Sequence, residues 1–213
     1  MINIGAPSEK ITTLRNGVDL ELFKPGDRDA ARNALGVTKT VLVSAGQLIE
    51  RKGNHLIIDA LTALSDVTLV IAGEGEERHP LEKQALRLGV SDRVKFLGAV
   101  RHEDLPQIYN AADALVLASS REGWPNVLLE AMACGTPCVA TNVWGNAEVI
   151  TSPNAGRLCK ARTSEAIRET VTALFHNPPD RKAVRAHAQL HSWDKTSEGM
   201  SAIFDRLKEQ SGK

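Results

Sequence analysis

The stretch that decides the fold is Val67-Thr68-Leu69-Val70-Ile71-Ala72-Gly73, a short apolar run that ends in glycine. Its side chains do not alternate between polar and apolar, which is typical of a strand buried on both faces. A similar run at 39–46 precedes it, and shorter ones follow at 93–98, 114–118 and 137–141. We therefore predict five strands of a parallel sheet that helices cover on both faces.

Segments with apolar residues at helical spacing lie between these runs. They cover residues 54–64, 77–88, 105–112 and 125–134. Because parallel strands are joined by right-handed crossovers, this alternation predicts a doubly wound, Rossmann-like α/β layer. Ligands of such sheets bind beyond the carboxyl ends of the strands, so the candidate binding loops follow Gly46, Gly73, Gly98 and Ser119.

Three parts are predicted along the 213 residues, a length that suits one large domain or two small ones. Residues 1–38 are expected to be a linker segment with a possible strand at 10–14. Residues 39–190 form the Rossmann-like domain, which becomes helical beyond residue 160. Residues 191–213 form a carboxyl-terminal helix with apolar residues on one side.

Composition narrows the classes of function. With 26 basic and 26 acidic residues, the chain carries no excess positive charge for binding nucleic acid. No apolar run approaches the roughly 20 residues that span a bilayer, and no signal peptide is apparent, so we expect a cytoplasmic location. The three cysteines, Cys134, Cys138 and Cys159, are interpreted as free, buried apolar residues. No spacing typical of a metal site or of a Ser-His-Asp arrangement occurs.

The segment Arg121-Glu122-Gly123-Trp124-Pro125-Asn126-Val127-Leu128-Leu129-Glu130 places Glu122 before a predicted helix and Glu130 within it. Carboxylates accept hydrogen bonds from sugar hydroxyls, and amides at a helix start donate to phosphates. The neighbours of Glu130 are apolar, so we expect it to be partly buried and to need partners. Proline has no N–H, so the donors at this helix start would be the amides of Trp124, Asn126, Val127 and Leu128.

The loop after the first strand, from Gly46 to Gly53, contains Lys52 next to a predicted helix start. A lysine there suits a diphosphate, and the alternative is an ordinary lysine in a solvated loop. The Gly73-Glu74-Gly75 sequence favours a tight turn near the cleft over a dinucleotide fingerprint, since the third glycine is missing. His102 begins the helix after the third strand, which puts it beside the predicted cleft.

Together these motifs resemble the carboxyl-terminal, donor-binding domain of family 4 retaining glycosyltransferases with the GT-B fold (glycosyl transferases group 1). The segment from Glu122 to Glu130 is the most specific part of the resemblance. The other matching features are Asn16-Gly17-Val18-Asp19 with Phe23-Lys24-Pro25, and residues 46–53, 72–75, 94–98, 112–113, 119–121, 131–141 and Trp193.

The resemblance implies a role for each matching residue. Glu122 would make the catalytic contact to the donor sugar, Glu130 would hold ribose hydroxyls, and Lys52 would contact the diphosphate. The substrate would be a nucleotide-sugar carrying UDP, GDP or ADP, with neither metal nor cofactor. The donor-binding residues would be Gly46, Gln47, Lys52, Val100, His102, Gly123, Trp124, Asn126, Val127, Leu128 and Glu130.

Two residues depart from the family pattern. Gln47 stands where the family has arginine, and Arg51 and Arg121 are the candidates that would compensate. Trp144-Gly145 stands where the family has a glycine pair, so Trp144 either reshapes the sugar pocket or packs against the protein.

Length is a further departure from the family pattern, because nothing before Asn16 supplies the family's amino-terminal, acceptor-binding domain. We therefore expect a fragment or excised domain that is inactive alone, from an enzyme of polysaccharide biosynthesis acting on a glycan or lipid-linked acceptor. Any peripheral membrane contact would come from the missing half, and the exposed final helix would favour self-association. The alternatives are a non-catalytic nucleotide-sugar-binding or partner-interaction module, and a nucleotide-sugar epimerase of related fold.

Overall fold

A computed structural model describes residue 5 and residues 7–211 of the chain. Within these residues six parallel strands form one sheet. The strands are β1 Thr40–Ala45, β2 Val67–Ala72, β3 Val94–Gly98, β4 Ala114–Leu117, β5 Cys138–Thr141 and β6 Gly156–Cys159. Their order in the sheet is β3-β2-β1-β4-β5-β6. β1 and β2 pair along their full length, from Thr40 opposite Val67 to Ala45 opposite Ala72.

Helices cover both faces of this sheet, so the doubly wound α/β fold predicted from the sequence is confirmed. The helices are α1 Arg28–Leu35, α2 Asn54–Leu61, α3 Arg78–Arg87, α4 Leu105–Ala111, α5 Asn126–Ala133, α6 Trp144–Val149, α7 Ser164–His176, α8 Arg181–Gln189 and α9 Trp193–Ser211. One core cluster packs α4, α5 and α8 against residues such as Val43 and Leu115. The other packs α2, α3 and α7 against residues such as Leu42 and Val116.

Alternate residues of the central strands enter opposite core clusters, which is why the sequences of these strands are mostly apolar on both faces. All six residues of β2 are buried. The five predicted strands are confirmed, and β6 was missed because Gly156-Arg157-Leu158-Cys159 is short and interrupted by a cation. β6 pairs only with β5 among the described residues, and this explains its half-buried pattern.

The linker segment differs from the prediction. The expected strand at residues 10–14 is wrong: Ser8–Lys10 is one turn of 3-10 helix, and residues 11–14 have no strand partner. The segment also contains α1, which was missed because only Ala31 of its eight residues is buried. The local signals were present, since Asp27 caps the start of α1 and Gly36 ends it in the left-handed conformation.

The segment before α1 joins the start of α9. Val18 donates its amide to His191 O at 2.9 Å and forms a parallel bridge with Ser192. The hydroxyl of Thr196 donates to Arg15 O at 2.7 Å. Beyond this junction the apolar side chains of α9, among them Met200, are about half exposed. In the described part of the chain, no helix is both long and apolar enough to cross a membrane.

Candidate functional site

The carboxyl ends of β1, β2 and β3 meet through close backbone packing. Gly46 donates its amide to Ala72 O at 2.9 Å, and Gly73 donates to Gly98 O at 2.8 Å. A Cβ at Gly73 would lie 1.8 Å from Gly46 O, so no side chain fits at this position. The glycines predicted to mark the turns therefore bring the loops after the three strands together, and these loops form one side of the cleft.

Glu122 lies in the loop after β4 and is already compensated by its neighbours. Its Oε1 accepts from Lys52 Nζ at 2.7 Å and from Ser119 Oγ at 2.6 Å. Arg51 Nη1 lies 3.9 Å from the other carboxylate oxygen. The side chains of Lys52 and Glu122 are 19% and 9% exposed, so this is a partly buried ion pair. The structure thus brings together two residues predicted to act on one ligand, although they are 70 positions apart.

The loops that carry this ion pair are fixed to one another by backbone contacts. Arg51 donates from its guanidinium to Arg121 O at 2.7 Å, and Ser120 donates its amide to Arg51 O at 2.9 Å. Arg162, at the turn before α7, donates to Ala118 O at 2.9 Å. The loops after β1 and β4 therefore hold each other and keep Lys52 against Glu122.

The amino-terminal end of α6 also lies against the Glu122 loop. Gly145 donates its amide to Glu122 O at 3.2 Å, and a Cβ at Gly145 would lie 2.5 Å from Gly123 O. The adjacent residue, Trp144, is 83% exposed. The sequence left two alternatives for Trp144, and packing against the protein is wrong, since the side chain is not covered by any part of the chain that the structure describes.

The Trp124 side chain contacts the segment before α1 and the end of the loop before α9. Its indole N–H donates to Asn16 O at 2.9 Å, and its ring lies 5.7 Å from that of His191. The guanidinium of Arg15 lies over the indole at 5.3 Å and also pairs with Glu148. The Trp124 side chain thus anchors the loop to the junction with α9.

Glu130 has different surroundings from Glu122. It is 8% exposed, its Oε2 accepts from Tyr109 Oη at 2.9 Å, and its Oε1 lies 3.5 Å from His102 Nε2. Burial raises the pKa of the Glu130 carboxyl, and contacts with Tyr109 and His102 oppose that rise. Burial also raises the pKa of Tyr109, so its phenol stays a hydrogen-bond donor. The prediction that Glu130 is partly buried and has partners is confirmed.

His102 lies beside Glu130, and Val100 belongs to the same loop after β3. His102 is exposed, and its ring meets the buried ring of Phe23 edge-on at 5.0 Å. Val100 is partly buried and packs on the same core cluster as Phe23 and Tyr109. The loop that carries Val100 and His102 is therefore adjacent to Glu130.

The start of α5 differs in detail from the prediction. The helix begins at Asn126, with Pro125 at the N-cap position. Leu128 already donates its amide to Pro125 O at 3.0 Å, so this amide is engaged, while Val127 follows Asn126 in the first turn. The Asn126 Oδ1 atom is buried, and no hydrogen-bond partner for it occurs in the part of the chain that the structure describes.

Gln47 and Gly46 lie at the turn after β1. Gln47 is exposed, and its carbonyl accepts from Ile49 N at 3.1 Å. A Cβ at Gly46 would come within 4.0 Å of Lys52 Cε, so Gly46 borders the lysine side chain. Of the two arginines considered as substitutes for the family cation, Arg51 reaches the Glu122 carboxylate and Arg121 is exposed.

Three side-chain contacts at the site were not predicted. They are the contact of Tyr109 with Glu130 and the contacts of Ser119 and Arg51 with Glu122. Tyr109 is the one tyrosine of the chain and lies in a mostly apolar helix. A buried phenol needs a hydrogen-bond partner, so this tyrosine was the available signal for Glu130. Ser119 directly follows a buried strand, at the edge where ligands bind.

Other candidate groups lie apart from this edge or are inert. The three cysteines are free and buried, and burial raises the pKa of the Cys134 thiol to about 12. His187 Nε2 donates to Val149 O at 2.8 Å. No group of three His, Cys, Asp or Glu side chains suited to a metal occurs among residues 5 and 7–211. A concavity of about 520 Å³ lies along β6 and α7 and contains none of the predicted site residues.

Comparison with protein families identifies the sequence pattern. Residues 27–191 match the family described as Glycosyl transferases group 1. The D-inositol 3-phosphate glycosyltransferase of Saccharomonospora viridis is 33% identical in an alignment of 218 residues. The alignment covers 93% of this chain and 51% of that protein. The chain spans about half the length of the curated relatives it matches.

Solved structures share the fold. HepE of Anabaena, in complex with UDP and glucose, aligns with a TM-score of 0.87 and 27% identity, covering 96% of this chain and 59% of that chain. The C-terminal domain of a glycosyl transferase group 1 family protein (LpcC) from Francisella tularensis aligns with a TM-score of 0.67 and 25% identity. That alignment covers 85% of this chain and 97% of the Francisella domain, so the chain corresponds to one domain of such a protein.

Proposed function

Because this chain belongs to the glycosyl transferases group 1 family, we propose that it is the donor-binding half of a retaining, family 4 glycosyltransferase with the GT-B fold. The whole enzyme would transfer a hexosyl group from a nucleotide-sugar to a glycan or lipid-linked acceptor in polysaccharide biosynthesis. In this proposal residues 39–190 bind the donor, and residues 191–213 cross toward the other half. A cytoplasmic location remains a prediction.

The observation that carries the proposal is the placement of Lys52, Glu122 and Glu130 at one edge of the sheet. One cation and two carboxylates in unlike surroundings suit a ligand with both phosphates and hydroxyls. Glu122 lies beside Lys52, so a diphosphate at Lys52 would bring its sugar to Glu122. Glu130 lies beside the loop of Val100 and His102, where the ribose and the base would bind.

Binding of the diphosphate would replace the ion pair between Lys52 and Glu122. Lys52 would stabilise the negative charge of the leaving diphosphate, so no metal is needed in this scheme. The freed Glu122 carboxylate would accept hydrogen bonds from the donor sugar, supported by the amides of Gly123 and Trp124. The buried Asn126 Oδ1, which lacks a partner among the described residues, would accept a further hydroxyl.

The base of the nucleotide is proposed to be uracil. The Anabaena neighbour was solved with UDP and glucose, and this chain shares its fold along 96% of its length. Guanosine and adenosine diphosphates remain the alternatives. The backbone at Val100 and His102 would read the base, and Gly46 and Gln47 would lie near the phosphates.

The second half of the enzyme would lie against α9. The chain spans 51% of the Saccharomonospora relative, and the apolar face of α9 includes Trp193, Phe204 and Leu207, each about half exposed. A partner domain that covers this face would supply the acceptor site and any contact with a membrane. The isolated chain would then be inactive and would tend to self-associate through the same face.

A thermal-shift panel tests the proposal. We expect one of UDP, GDP or ADP to raise the melting temperature of the chain, because a ligand that binds only the folded state stabilises it. Lys52→Ala and Glu130→Ala should abolish the shift, while the exposed control Lys182→Ala should keep it. If no nucleoside diphosphate or nucleotide-sugar in the panel stabilises the wild-type chain, the proposal is wrong.

The half-exposed face of α9 also favours a second candidate, a non-catalytic module that binds a partner protein. Both candidates would bind a nucleotide-sugar, so activity must separate them. The chain co-expressed with the other half of its relatives should transfer sugar to an acceptor if it is a transferase. Transfer that survives Glu122→Ala would favour the module, and release of an epimerised nucleotide-sugar would favour an epimerase.

A further inference from the structure

Trp144 is the most exposed large apolar side chain at the candidate site, with 83% of its surface open. Single exposed apolar residues are common on protein surfaces, so exposure alone carries no function. The position of Trp144 is what distinguishes it from others such as Leu86, which lies on α3. Trp144 is the first residue of α6, directly beyond the carboxyl end of β5.

Backbone contacts hold this indole at the rim of the Glu122 loop. The next residue, Gly145, donates to Glu122 O at 3.2 Å and approaches Gly123 so closely that a Cβ would lie 2.5 Å from Gly123 O. The start of α6 therefore cannot move away from the loop without breaking this contact. Trp144 thus lies next to the loop that carries Glu122 but contributes nothing to its packing.

The surroundings of the indole are suited to a sugar ring. Gly123 is exposed, and a Cβ at this position would meet nothing within 4 Å, so the space beside it is open. Arg121 and Asn142 are exposed polar residues of the same two loops, and both carry donors for hydroxyl groups. An exposed aromatic surface between two loops that carry polar side chains suits a pyranose, which has an apolar C–H face and a rim of hydroxyls.

We propose that Trp144 is a stacking platform for a pyranose ring at the rim of the site, and thereby a determinant of sugar specificity. This inference rests on the proposed function, which puts the donor sugar at Glu122. The ring could come from either of two sources, the hexose of the nucleotide-sugar or a hexose unit of the acceptor. Both sources present the same chemistry to the indole.

Titration calorimetry with UDP and UDP-glucose, or with the pair that gives the largest thermal shift, tests the donor source. Trp144→Ala should weaken binding of the nucleotide-sugar roughly three- to tenfold and leave the nucleotide unchanged. Trp144→Phe should restore most of the difference, because it keeps a ring. Trp193→Ala, which removes an exposed indole on α9, is the matched control and should behave as wild type.

Saturation-transfer NMR with methyl α-D-glucopyranoside, with and without the nucleotide, tests the acceptor source. A signal that Trp144→Ala removes and Trp144→Phe retains supports it, and the measurement does not depend on nucleotide binding. The proposed function fails if wild-type protein binds no nucleotide, which is a separate result. The inference is overturned if Trp144→Ala changes neither the affinity for the nucleotide-sugar nor the saturation-transfer signal of the glucoside.

Discussion

The two carboxylates of the site are held in opposite ways. The Glu122 carboxylate has two cations beside it, Lys52 Nζ at 2.7 Å and Arg51 Nη1 at 3.9 Å, and it also accepts from the Ser119 hydroxyl. Glu130 is equally buried but has a phenol and an exposed imidazole as partners. The negative charge is thus neutralised at Glu122, whereas at Glu130 burial raises the carboxyl pKa.

This difference indicates how each carboxylate would meet a ligand. A diphosphate must compete with Glu122 for Lys52, so binding exchanges one ion pair for another and frees the carboxylate at the same time. A ribose hydroxyl at Glu130 only adds a donor to a carboxylate that has few. We expect mutations near Glu122 to act mainly through charge, and mutations near Glu130 mainly through hydrogen bonds and pH.

The largest effect is expected when the ion pair is broken. Lys52→Met should lower the free energy of unfolding by roughly 2–4 kcal/mol, because it leaves a mostly buried Glu122 without its closest cation. Urea denaturation of Lys52→Met and of the double variant Lys52→Met/Glu122→Gln measures this, and the double variant should recover most of the loss. Lys182→Met serves as an exposed control. Equal stability of the single and double variants would contradict the comparison.

Removing the phenol at Glu130 should have the next largest effect. Tyr109→Phe keeps the ring in the core but deletes the donor to Glu130 Oε2, so the buried carboxylate loses a charged hydrogen bond. We expect a loss of roughly 2 kcal/mol in the free energy of unfolding. Urea midpoints at pH 7 measure it. A loss smaller than that of Ser119→Ala would show that the Glu130 charge is better compensated than its contacts indicate.

The matched change at Glu122 should cost less. Ser119→Ala deletes the hydroxyl donor at 2.6 Å, but Lys52 still neutralises the carboxylate. We expect a loss of about 1 kcal/mol. In the background of Lys52→Met the same substitution should cost more, because the hydroxyl is then the nearest donor. Additivity of the two substitutions in a double-mutant cycle would argue against a shared role.

The smallest effect at neutral pH should be a gain in stability. Glu130→Gln keeps an acceptor for Tyr109 and removes the buried charge. Because burial raises the folded-state pKa of Glu130, the folded protein binds this proton more tightly than the unfolded chain. The contribution of Glu130 to wild-type stability should therefore fall as pH rises from its unfolded pKa to its folded pKa, and this contribution should be absent in Glu130→Gln.

Urea midpoints between pH 4 and pH 7 check the last prediction, with the exposed Glu198→Gln as the control. The stability difference between Glu130→Gln and wild type should grow with pH in this interval. Parallel curves would mean that Glu130 does not titrate differently in the folded state. The same variant should bind nucleotide roughly tenfold or more weakly, because a charged acceptor for the ribose is lost.

The sheet could be predicted because its signal is local. β1 and β2 are continuous apolar runs, and their burial on both faces leaves no other assignment. β6, α1 and α6 were not predicted because each is short or mostly polar and shows no long apolar pattern. At α1 the capping residues Asp27 and Gly36 were the available local signal. The wrong strand at residues 10–14 has suitable β-branched residues but no neighbouring strand.

The edge of the sheet that carries the site was predictable, whereas the side-chain pairs were not. Parallel strands all end at that edge, which places the loops of Lys52, His102 and Glu122 together. The pairing of Lys52 with Glu122 spans 70 positions and depends on how the loops after β1 and β4 hold each other. Tyr109 meets Glu130 only because α4 and α5 pack side by side, a detail that periodicity does not contain.

The junction between residues 15–18 and the start of α9 has a mechanical consequence. Asn16 accepts from the Trp124 indole at 2.9 Å, Arg15 lies over the same ring, and Thr196 of α9 donates to Arg15 O. A displacement of residues 15–18 or of α9 would therefore reach the Glu122 loop by two routes, the Trp124 indole and the pair of Arg15 with Glu148 on α6, whose Gly145 donates to Glu122 O. The junction thus couples movement outside the sheet to the position of the Glu122 loop.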